Sequence, residues 1–117
     1  SANVELKSLT LGNLQNLELL DINGTDLNTL NLNGYKNLKY LYIIDVPLTA
    51  LDLSTQTKLK EIHITIINGK GLIGEPLKAF AKSLHSNGGG VIGLSKEQYD
   101  QIGNILQNKN WEVKGGN

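Results

Sequence analysis

LELLDI (17–22), LKYLYI (38–43) and LKEIHI (59–64) are one phrase written three times, at intervals of 21 residues. LNTLNL (27–32) and LTALDL (48–53) stand between them, and LKSLTL (6–11) stands ahead. Each phrase reads Leu-x-x-Leu/Ile-x-Leu/Ile, and the opening leucines fall alternately 11 and 10 residues apart. Inside a phrase, apolar and polar positions alternate with the period of a half-buried strand. A fixed sequence period of this size is the signature of a solenoid.

Stacking at 21 residues sorts the apolar positions into columns. Leu17, Leu38 and Leu59 form one; Leu20, Leu41 and Ile62 a second; Ile22, Ile43 and Ile64 a third. The intervening phrases give Leu6, Leu27 and Leu48; Leu9, Leu30 and Leu51; Leu11, Leu32 and Leu53. A buried Leu or Ile contributes about 1.5–3 kcal/mol, too little for one isolated turn to offset its ordering entropy. The columns stabilise only together. Asn23-Gly24, Asn33-Gly34 and Asp45-Val46-Pro47 supply the turns.

The ruler stops after Ile67. Glu75-Pro76 reads as a helix start, with Leu77, Phe80, Ala81 and Leu84 spaced as one apolar stripe. Val91–Leu94 reads as a strand. Ser95 with Gln98 three residues on makes a capping box and opens a helix that turns Tyr99, Ile102, Ile105 and Leu106 inward. Trp111-Glu112-Val113 closes as a strand, and Lys114–Asn117 reads as a frayed end. The expected organisation is one domain over 1–117, with repeats at 3–68 and an α/β cap at 69–117. The N-terminal edge lacks a comparable cover, so a monomer or a weak homodimer through that edge is expected.

Composition narrows the function. The 117 residues hold 11 basic and 11 acidic groups, for a net charge of zero. All the basic groups are Lys. Without a basic excess, and without the forked guanidinium that captures phosphate, nucleic-acid binding is not expected. There is no Cys, hence no disulfide and no thiolate chemistry. No window is long and apolar enough to span a bilayer. The sequence holds no Met, even at position 1. A removed leader or a longer parent polypeptide is therefore expected, and the lack of a signal peptide does not argue against export.

The phrases resemble the leucine-rich-repeat family, whose motif is Leu-x-x-Leu-x-Leu-x-x-Asn-x-Leu. They are most similar to its nested 21-residue variety in bacterial, Bacteroides-type surface proteins, where a Leu-x-x-Leu-Asp-Leu phrase follows the first. Leu48–Leu53 matches that second phrase outright, and Leu27–Leu32 nearly so. Thr25, Val46 and Ile67 stand where the family carries its Asn, so these turns lack the usual Asn ladder. The resemblance implies a right-handed leucine-rich-repeat solenoid of about three 21-residue turns, with short strands on two flanks and a helical C-terminal cap. It also implies an extracytoplasmic location, at the cell surface or secreted.

With the inward positions filled by Leu and Ile, a site must use the outward ones. The first-phrase face offers Leu19, Asp21 and Asn23, then Tyr40, Tyr42 and Ile44, then Glu61, His63 and Thr65. The second-phrase face offers small and short polar residues, among them Thr29, Asn31, Asn33, Ala50, Asp52 and Ser54. Tyrosine brings large contact area at low rotamer entropy. The candidate binding patch is therefore Asp21, Tyr40, Tyr42, Glu61 and His63. His63 and His85 lack ligand spacing, so no metal is expected. The pattern places no activated nucleophile, so neither catalysis nor a cofactor is expected. The reading is a non-catalytic recognition module for a protein or glycan. The alternative is a spacer or capping piece of a larger surface protein, with no ligand of its own.

Overall fold

The outward and inward positions of the first phrases become strands. The computed structural model describes residues 16–24, 27–65, 71–86 and 90–115. Within these, β1 (Leu19–Asn23), β2 (Tyr40–Ile44) and β3 (Glu61–Thr65) pair in parallel in the 21-residue register, Leu19 against Tyr40 and Tyr40 against Glu61. The phrase at 6–11, Thr25 and Ile67 lie outside the described residues.

The described second phrases, 27–32 and 48–53, do not become strands. Leu30, Leu32, Leu48, Leu51 and Leu53 are buried as the columns require, but the chain around them runs without ladder pairing. Its backbone groups bond in part to nearby side chains and carbonyls and in part across the fold, Thr49 N donating to Asn28 O at 2.9 Å. Asn33 N donates to Asn31 Oδ1 (2.9 Å) and Ser54 N to Asp52 Oδ1 (2.8 Å), two Asx turns. Tyr35 N donates to Leu32 O and Gln56 N to Leu53 O. Leu53 N is taken by Ser83 Oγ, 3.0 Å away. An amide donor used this way is lost to a strand ladder.

After β3 come helix α1 (Gly74–Ser83), strand β4 (Val91–Leu94), helix α2 (Lys96–Asn108) and strand β5 (Glu112–Gly115). The Ser95–Gln98 capping box forms, and Gln98 Nε2 also donates to Leu72 O. Lys114 and Gly115 lie in β5 and are not a frayed end. Tyr99 is exposed on α2, so the expectation that it packs inward fails. β4 pairs with β3 and β5 with β4, both parallel, which makes one five-stranded sheet in the order β1-β2-β3-β4-β5.

This corrects the expected fold class. The chain does not build a leucine-rich-repeat solenoid of three turns with strands on two flanks. Among the described residues it builds an α/β domain with one all-parallel sheet and two helices, with extents of 36 × 32 × 21 Å. The reason is double: Asx turns and side-chain capping take the second phrases out of strand geometry, and the C-terminal segment extends the sheet. The result is closer to a Rossmann-type α/β domain, although its strand order has no reversal at which such domains hold nucleotides.

Leu20, Ile22, Leu41, Ile43, Ile62, Ile64, Ile92 and Leu94 from the sheet share one core with Leu77, Phe80 and Ala81 of α1 and Ile102 and Leu106 of α2. Both helices therefore pack on the same side of the sheet. The opposite side holds the alternate, half-buried residues of β2 and β3.

Candidate functional site

Alternation along parallel strands lines the outward side chains up in rows. One row runs Leu19, Tyr40, Glu61, Val91 and Glu112 across the sheet; the next runs Asp21, Tyr42, His63, Gly93 and Lys114. All five expected site residues thus meet on one face. Two adjacent rows place their Cα atoms about 6.6 Å apart along a strand and about 4.8 Å apart between strands.

Three of them are joined directly. The Tyr42 hydroxyl donates to Glu61 Oε2 at 2.6 Å, and His63 Nε2 lies 3.1 Å from that same oxygen. A carboxylate only accepts, so Nε2 carries the proton. The Tyr42 and His63 rings stack, with centroids 5.1 Å apart and planes inclined by 18°. The bond to Glu61, then burial and the negative charge of Glu61, push the Tyr42 phenol up to about 12. The same bond holds the Glu61 carboxyl below its ordinary range, helped by His63 and by the Lys114 ammonium.

Two residues of the face escaped the sequence reading. A Cβ on Gly93 would come within 2.5 Å of His63 Nδ1, so the imidazole lies over this glycine and a larger residue there would have to push the ring aside. Lys114 stands beside it on β5 and pairs with Glu112 at 3.5 Å. Gly93 could not be singled out because β3 to β4 breaks the 21-residue interval, Glu61 pairing with Val91. The shared strand pattern of Val91–Leu94 and Glu112–Val113 was the available signal for Lys114.

The other candidates lie elsewhere. His85 sits against Trp111, with ring centroids 5.5 Å apart, and its Nε2 is 3.3 Å from Leu59 O. Among the described residues no three His, Asp or Glu side chains gather as metal ligands. The second-phrase side holds an open depression of about 280 Å³, lined by Thr29, Leu30, Asn31, Asn33, Ala50, Leu51 and Asp52. Its Asp52 carboxyl is held below the usual range by bonds from Ser54. None of the helices in the described residues is long and apolar enough to cross a membrane. No family model, curated protein or solved structure matches the chain.

Proposed function

We propose that this protein is a non-catalytic recognition module that binds a protein or glycan through the open sheet face of Asp21, Tyr40, Tyr42, Glu61 and His63. One observation carries the reading: among the described residues both helices pack on one side of an all-parallel sheet, and no helix or strand lies over its aromatic and charged side. Parallel sheets are ordinarily covered on both faces, and tyrosines gathered on a bare one suit a partner. In line with the family resemblance, the proposed setting is outside the cytoplasm, on a cell surface or in secretion.

The mutual bonding of Tyr42, Glu61 and His63 favours a second reading. Polar side chains that satisfy one another suit a spacer with no ligand. Capture from envelope and secretion extracts, followed by reconstitution with the purified species, separates the two. For a recognition module, the parent protein holds a partner that a Tyr40→Ser/Tyr42→Ser variant of unchanged circular dichroism releases. Equal capture by both proteins would sink the reading and leave the spacer.

A further inference from the structure

The open face is more specific than its tyrosines alone. Tyr40 and Tyr42 lie at the middle of β1–β3, in adjacent rows on β2 and half-exposed. Asp21 on β1 stands beside Tyr42, and Glu61 on β3 stands beside Tyr40. The two carboxylates therefore bracket the aromatic pair from opposite strands.

Both carboxylates have capacity left. Among the described residues no hydrogen bond or ion pair holds Asp21, and Glu61 receives Tyr42 and His63 on Oε2 alone. Across the two rows, Asp21, Glu61 and Glu112 face one ammonium, Lys114, so carboxylates outnumber ammonium groups on the bed.

A planar cation meets every one of these features. A guanidinium stacks on tyrosine faces within about 6 Å and donates in a fork to carboxylates. A neutral sugar could cover the rings and donate hydroxyls, but it would leave the excess charge desolvated and uncompensated. These 117 residues contain no Arg, so a second copy of them does not supply the group.

We propose that the open face receives an arginine-bearing segment of a partner protein, its guanidinium laid over Tyr40 and Tyr42 between the carboxylates of Asp21 and Glu61. The proposal rests on reading this face as a recognition surface. The probe is a peptide of four arginines, titrated into the ¹⁵N-labelled protein beside a peptide of four citrullines, its uncharged isostere, and beside chitotetraose. The expected result is saturable shifts confined to 19–23, 40–44 and 61–65 with arginine, and far weaker ones with citrulline. Asp21→Asn should weaken arginine binding by up to about fivefold, the loss expected of one partly exposed charge pair. Asp52→Asn, in the depression on the other side, should leave it unchanged. Equal binding of both peptides, shifts spread over the surface, or an indifferent Asp21→Asn would each overturn the proposal. Shifts on this face with chitotetraose and none with arginine would overturn it while leaving the recognition reading intact. Silence from all three probes would count against both.

Discussion

Tyr42 donates a hydrogen bond to an oxygen that a histidine also uses, and this single atom sets the chemistry of the face. The phenol is raised to about 12, so its bond to Glu61 contributes fully below the ordinary tyrosine value of about 10. That contribution fades as pH climbs from about 10 through about 12. The Glu61 carboxyl is depressed, so its share is present above the ordinary glutamate value and is lost as pH falls through the lower folded one. One bond therefore gives a broad plateau with a limb at each end. In Glu61→Gln the chief cause is gone, and ultraviolet titration should show the last tyrosine ionising nearer 10. A phenol still at about 12 in that variant would refute the assignment. Gly93 is the quiet partner: any larger residue would have to displace the His63 ring from its seat.

At the scale of elements, the loose end of α1 is held from a distance. Lys109, just past α2, reaches back so that Nζ donates to Lys82 O at 2.6 Å and to Leu84 O. These carbonyls end a helix with no further intrahelical donors, and a cation there also meets the favourable end of the helix dipole. Lys109→Met keeps the aliphatic stem and removes the ammonium. Urea unfolding should show a loss of about 1–2 kcal/mol, and no change would mean that solvent serves those carbonyls equally well. The capping box of α2 needed no such tertiary help, and it was legible because Ser95 and Gln98 are three residues apart. The strands β1–β3 and the meeting of Asp21, Tyr40, Tyr42, Glu61 and His63 were legible for the same kind of reason, since period and register are local. The second phrases misled because Leu27–Leu32 and Leu48–Leu53 carry the same alternation. What decides against a strand there is the bonding of Asn31, Asp52 and Ser83. Buried Gln56 adds to this, donating to Leu32 O. Ser83 lies thirty residues from the amide it takes, beyond the reach of any pattern.

For the whole molecule, one continuous core joins sheet and helices, so no part has an apolar interior of its own. Trp111 is buried in that core and its Nε1 donates to His85 O at 3.0 Å, which makes its fluorescence a report from the C-terminal end. Far-ultraviolet circular dichroism reports on all strands and helices together. The two unfolding curves should coincide, as a single cooperative unit requires. An early fluorescence transition would instead show that the segment from α1 to β5 opens by itself.

Because spatial order repeats chain order, no strand is inserted between two earlier ones. A second copy of residues 38–58 spliced in after Pro47's segment would need no rethreading. It would move β3, β4, β5 and both helices sideways by one strand spacing, about 4.8 Å. Breadth is thus a heritable dimension of this architecture. Gene duplication or deletion can widen or narrow it in whole steps, and each step adds or removes the three outward positions of one strand.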